Sequence, residues 1–214
     1  MSDFIRELED ELKQERLLGF FKAYGKFIAG VIVFVIVVAS ILTFKESSKI
    51  KAEIAASEEF RTNVELEASD ANAASAIYEK ISQDAPSGFA GLAVLKRAGM
   101  LANEGKIKEA VEVYDEFANS SKSEIAFREF ARFIATYLMV ENDLGEVEEL
   151  NSRFDKLTKD NHPWRYSALE LKAIYALKQG DKEQALEIFK NLSKNKLIPL
   201  DLRTRADKMV NIIG

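Results

Sequence analysis

A single histidine, His162, stands in the chain, and cysteine is absent. Zinc sites draw their ligands mainly from histidine and cysteine, so neither a multi-histidine nor a thiolate site can be assembled from these residues. Thiolate nucleophiles and disulfides are excluded with them. His162 leads into Pro163-Trp164. There proline suits a first helical position and tryptophan suits packing, so a structural role is expected. Carboxylates gather at Glu146, Glu148 and Glu149, which reads as the polar face of a solvated helix before it reads as an acid–base pair. The stretch "GKFIAG", Gly25–Gly30, has two glycines at phosphate-loop spacing but lacks the Lys-Ser/Thr that must follow. No catalytic, cofactor-binding or metal residue is expected, and no cofactor.

Binding chemistry has more to work with. Lys96, Arg97, Arg128, Arg132 and Arg165 fall on expected first helices of helix pairs. There they could line a concave surface and meet acidic peptide groups, although solubility is the plainer explanation. The formal net charge is −5 and the isoelectric point about 5.2. No stretch gathers the dense Lys/Arg cluster of a phosphate-backbone binder, so nucleic acid is not an expected partner. The partner-binding residues themselves stay unassigned.

The elements that would position these groups are helices. Only 3 Pro and 10 Gly occur, while Ala, Leu, Glu and Lys are plentiful, a profile that favours helix. One small pattern recurs in "YEKI", "YDEF", "FDKL" and "FKNL", whose aromatics are Tyr78, Tyr114, Phe154 and Phe189, at intervals of 36, 40 and 35 residues. Four residues before each aromatic stand Ala74, Ala110, Leu150 and Ala185; nine before stand Ser69, Gly105, Gly145 and Gly180. The glycine ends one helix and permits a tight turn. The small residue lets two helices approach, and the aromatic one turn later fills the space between neighbouring pairs.

This pattern resembles the tetratricopeptide repeat, with its Ala-x3-aromatic second helix and a period near 34. The Trp-x2-Leu-Gly-x2-Tyr signature of the first helices is missing, and Leu150 departs from Ala, so the likeness is to a degenerate array. Residues 45–214 are expected to form about four helix pairs and a capping helix. The pairs fall at roughly 45–67 with 70–83, 87–104 with 107–119, 124–141 with 145–158, and 163–179 with 181–193. The cap falls near 199–212, with Leu202, Ala206, Met209, Val210 and Ile213 on one stripe.

Upstream, Phe27 to Phe44 is eighteen residues without a charge, thirteen of them Phe, Ile, Val or Leu. As a helix it spans about 27 Å, close to a bilayer's hydrocarbon thickness. A cleaved signal would carry a shorter apolar part near the start and a small-x-small site. A transmembrane helix over 27–44 is therefore expected, behind an amphipathic cytoplasmic segment at 1–26 whose Phe4, Leu8 and Leu12 share a face. Four basic residues lie within twenty positions on each side (Lys13, Arg16, Lys22, Lys26; Lys45, Lys49, Lys51, Arg61), so the positive-inside rule leaves orientation open.

Three stretches carry a wider likeness. They are "DELKQERLLGFFKAYGKFIAGVIVF" (Asp10–Phe34), "HPWRYSALELKAIYALKQGDKEQALEIFKNL" (His162–Leu192) and "IPLDLRTRADKMV" (Ile198–Val210). Together they resemble the membrane-anchored tetratricopeptide-like family that includes YfgM, the ancillary subunit of the bacterial Sec translocon. The resemblance implies an all-α fold at a bacterial inner membrane with its repeat domain in the periplasm. It also implies contact with membrane lipid through the anchor, and with translocon components, periplasmic chaperones or exported clients. A non-enzymatic interaction module is expected; the alternative is a cytoplasm-facing scaffold for another complex.

Overall fold

The computed structural model describes residues 43–120 and 124–214. Every element among them is a helix. Residues divide into two compact units, Met1–Ala52 and Glu53–Gly214. Of the first unit, residues 43–52 are described; they are helical and exposed along their length.

The fold class expected from sequence needs a correction here. Among the described residues no helix is long and apolar enough to cross a membrane. The physical reason is charge: the helical residues from 45 onward carry Lys45, Glu46, Lys49 and Lys51 within their first two turns, each costly in hydrocarbon. Of the span expected between Phe27 and Phe44 only Thr43 and Phe44 are described, and Phe44 is exposed. The rest of that span, and the amphipathic segment at 1–26, lie outside the described residues.

The second unit is a succession of helices. Residues 53–67 (α1) are helical, followed by α2 (Ala71–Asp84), α3 (Ser87–Asn103), α4 (Ile107–Asn119) and α5 (Ile125–Glu141). Then come α6 (Val147–Leu157), α7 (Arg165–Lys178), α8 (Lys182–Lys194) and α9 (Leu200–Ile213). Local chemistry sets several of the boundaries. Asp70 and Asp181 cap α2 and α8 by accepting hydrogen bonds from Ala73 N and Gln184 N, both 2.9 Å. Pro86 and Pro199, which cannot continue a helix, stand immediately before α3 and α9.

The turns between paired helices use left-handed backbone. Gly105 (φ 78°) and Gly180 (φ 82°) close α3 and α7. The next residue's N–H reaches back in each case, Lys106 to Leu101 O and Asp181 to Ala176 O, both 2.9 Å, which is the Schellman pattern. The α5–α6 turn departs from it. There Asp143 takes the left-handed position (φ 51°) and Leu144 N bonds Met139 O at 2.8 Å; Gly145 (φ 84°) comes two residues later. Two residues are thus added to this turn, which accounts for part of the 40-residue interval. Ser69, at the corresponding place after α1, keeps negative φ.

Side chains at the repeated positions form the core. Ala74, Tyr78, Ala110, Phe154, Ala185 and Phe189 have essentially no exposed surface, and Tyr114 and Leu150 are also buried. Neighbouring helices approach closely along α2–α3–α4–α5 and along α7–α8–α9, whereas α6 stands off from both α5 and α7. The residue at the alanine position of the repeat is leucine here, Leu150. Phe60 of α1 packs on Tyr78 and Phe89, with ring centroids 5.4 and 6.1 Å apart. At the other end, α9 lays Leu202, Ala206, Met209, Val210 and Ile213 on α8 and α7, and its other face is largely polar, so it closes the array.

Candidate functional site

The five basic residues that could have formed a cationic concave surface are spent on internal contacts. Lys96 reaches Glu67 at 2.8 Å, and the Tyr78 hydroxyl donates to that same carboxylate, so Glu67 ties α1 to α2 and α3. Arg97 lies 3.7 Å from Glu79. Arg128 Nε and Arg132 Nη2 both donate to the carbonyl of Ala118, at 3.1 and 3.0 Å. That carbonyl ends α4, where the helix dipole favours a cation. Arg165 pairs with Asp160 at 3.0 Å and lies over the ring of Tyr166. The same device recurs at α5, whose terminal carbonyls Val140 O and Glu141 O accept from Lys178 Nζ at 2.7 and 3.2 Å.

His162 is a strut. Its Nδ1 accepts from Trp164 N at 3.1 Å, which leaves Nε2 to carry the proton and donate to Glu129 Oε2 at 2.7 Å. Glu129 also meets Arg132. The Trp164 ring stacks on Phe133 and packs against Phe130. The α6–α7 turn is thereby locked onto α5. Glu148 and Glu149 occupy the first turn of α6, where carboxylates oppose the helix dipole, and Glu149 holds Arg153. Among the described residues no three His, Asp or Glu side chains are grouped to hold a metal ion.

Burial raises the phenols of Tyr78, Tyr114 and Tyr175 above the ordinary tyrosine value; Glu67 adds to the effect at Tyr78 and Glu148 at Tyr175. The Arg153 guanidinium is also raised, chiefly by its hydrogen bonds to Asp115. These shifts come from packing and ion pairing.

What distinguishes one surface from another is how successive second helices are joined. Between α4 and α6, over α5, Arg153 makes a bidentate pair with Asp115, Nη1 to Oδ1 at 2.8 Å and Nη2 to Oδ2 at 2.5 Å. A polar cleft of about 260 Å³ remains there, lined by Asp115, Asn119, Arg132, Arg153 and Lys156. Between α2 and α4, over α3, the furrow is open, with a cleft of about 480 Å³. Ala85, Ala90, Val94, Val113 and Phe117 supply apolar lining; Glu79, Arg97 and Glu116 stand at its edge. Repeat register explains the contrast. Asp115 follows Tyr114 by one residue as Glu79 follows Tyr78, and Arg153 precedes Phe154 by one as Val113 precedes Tyr114. The first furrow has the acid and lacks the arginine.

The sequence reading singled out the aromatics of this register and passed over their neighbours. The signal was present in the one-residue offsets, but ion pairing across 38 residues needs the helix spacing before it can be read. No sequence feature marked Lys178 or the Glu170–Arg205 pair, which clamps α9 to α7 through bonds of 2.7 and 2.8 Å.

Residues 1–212 match one family model, described as "Protein of unknown function (DUF2659)". No curated protein and no solved structure matches the chain.

Proposed function

The chain belongs to the DUF2659 family, and we propose that its helical array is a non-enzymatic protein-interaction module. It would act as an ancillary subunit or chaperone adaptor at the Sec translocon, on the periplasmic side of a bacterial inner membrane, handling newly exported proteins. The observation that carries this reading is the furrow between α2 and α4, with apolar side chains on its floor and charges at its edge, beside a furrow of the same register that Arg153 bridges and narrows. A concave cleft with an apolar side-chain floor and a few charged groups at its rim supports the reading that another chain sits in it. The polar side chains that catalysis would need are committed to holding helices together: His162 to Glu129, Glu67 to Lys96, Glu149 to Arg153. The resemblance of Asp10–Phe34, His162–Leu192 and Ile198–Val210 to the translocon-associated family supplies the location and the partners.

Two measurements test it together. A reporter active only outside the cytoplasm, fused after Gly214, should be active. A photo-crosslinker placed at Glu116 should capture translocon components, periplasmic chaperones or exported chains in living cells. An inactive reporter, with crosslinks to a cytoplasmic assembly, would replace this reading by a cytoplasm-facing scaffold. An active reporter with no crosslink to the secretion machinery would remove the translocon from it.

A further inference from the structure

We infer that the α2–α4 furrow binds a peptide segment in which an apolar side chain is flanked by lysine or arginine, the bound cation taking the place that an arginine of the chain itself takes one repeat later. The inference rests on the reading of this protein as an interaction module and gives that module its partner's chemistry.

Register is the first part of the argument. Where α6 meets α4, Arg153 fills the furrow and neutralises Asp115 from both nitrogens. Where α4 meets α2, the equivalent side chain is Val113, which stops short at the furrow wall. Glu79 therefore lacks the bidentate arginine its counterpart has, and keeps only a longer, 3.7 Å ion pair with Arg97. Glu116, on the opposite edge, pairs with no cation among the described residues. Among the described residues the edge thus holds two carboxylates against one guanidinium, and an incoming cation completes the pairing.

The floor is the second part. Ala90 and Val94 of α3, with Val113 and Phe117 of α4, give a concave apolar lining within a cleft of about 480 Å³, a size that takes one or two side chains of a peptide rather than a flat surface. α2 and α4 both pack on α3, so the furrow is held open by the array itself. An apolar anchor set in a pocket and ringed by polar contacts is the arrangement that concentrates binding energy in protein interfaces. An acidic or phosphorylated segment would meet Glu79 and Glu116 with like charge and be rejected.

The test titrates the purified 214-residue chain with a short fluorescent Gly/Ser peptide carrying Lys-Leu-Lys at its centre, followed by anisotropy. Peptides carrying Lys-Ser-Lys and Glu-Leu-Glu serve as comparisons. Lys-Leu-Lys should bind saturably. Removing the leucine should weaken binding by about tenfold or more, and the acidic version should not bind. Val113→Arg rebuilds the bridge to Glu79 and should abolish binding while the chain stays folded. Glu116→Gln, at an exposed position that cannot threaten folding, should weaken binding about two- to fivefold and reduce its salt dependence; it carries the test should Val113→Arg fail to fold.

Equal binding of the three peptides, no binding of Lys-Leu-Lys, or binding indifferent to both substitutions would overturn the inference. So would a homodimer that Val113→Arg converts to monomer, since a second copy would then be the occupant. Crosslinking to the secretion machinery that survives Val113→Arg would sink the furrow as its contact point and leave the interaction reading standing. Peptide binding without any such crosslink would do the reverse.

Discussion

Leu150 provides the sharpest contrast between reading a repeat and reading a structure. At the other three registers the residue is alanine, at 74, 110 and 185, so the repeat pattern makes Leu150→Ala a return to type and a benign change. The structure makes it costly. Leu150 is 3% exposed and packs with Met139, Val140, Phe154, Leu171 and Tyr175. Because α6 stands off from α5 and α7, its side chain fills a gap that an alanine cannot close. Removing three carbons forfeits roughly 2.4 kcal/mol of transfer free energy. A residual void of some 50 Å³ would add about 1 kcal/mol. A total of roughly 3 to 4 kcal/mol is a large share of the about 5–15 kcal/mol that stabilises a domain. For a unit of this size it corresponds to a fall of about 6–16 °C in melting temperature. Urea unfolding of the chain, followed by helical circular dichroism, measures it directly. A loss below about 1 kcal/mol would refute the reasoning, because it would mean that α6 moves in to close the gap and that its stand-off is not set by Leu150.

Other substitutions test other links. A double-mutant cycle of Arg153→Met and Asp115→Ala should give a coupling of about 1–2 kcal/mol, since the pair is bidentate and its side chains are 16% and 29% exposed; a coupling near zero would deny that it closes the α4–α6 furrow. His162→Ala should lower the unfolding free energy by about 1–3 kcal/mol and shift the emission of Trp164, the only tryptophan; unchanged emission would dismiss the strut. Gly105→Ala and Gly180→Ala should each cost about 1–2 kcal/mol from left-handed strain alone. Gly145→Ala should cost a similar amount, because the atom its Cβ would meet, Met139 Cε at 2.5 Å, is the free end of a flexible side chain that can turn aside. For Tyr78, Tyr114 and Tyr175 the folded state favours the neutral phenol. Their stabilisation is complete below about pH 10 and is lost as pH rises beyond it, at about 1.4 kcal/mol per pH unit for each ring. Phenolate absorbance should therefore show these three rings ionising at higher pH in the folded chain than in the unfolded one; ionisation of all of them at the ordinary tyrosine pH would contradict their burial.

The helices were legible because their causes are local. Amphipathic periodicity, the Asp70 and Asp181 caps, Pro86 and Pro199, and the glycines at 105 and 180 each act within a turn or two of their own position, and the expected boundaries differ from the structure by a few residues at most. The aromatic register was legible for a related reason: a repeat shows its buried positions by recurrence. The α5–α6 turn was less so, because Gly145 stands at the right offset from Leu150 while Asp143 takes the helix-ending conformation. The apolar run led to an expected transmembrane helix, and the described helices do not include one. What only the tertiary structure decided is where charge goes. Lys96, Arg97, Arg128, Arg132 and Arg165 share composition and position with a cationic groove, yet their partners are carboxylates and helix-end carbonyls on neighbouring helices or, for Arg165, a carboxylate of the α6–α7 turn. Arg153 finds Asp115 across 38 residues and Arg205 finds Glu170 across 35. Pairing at that separation depends on axis spacing and side-chain reach to within an ångström, since an ion pair is made or lost over that distance. One furrow is bridged and its neighbour is not for the same reason: an arginine that reaches across in one repeat is a valine in the other.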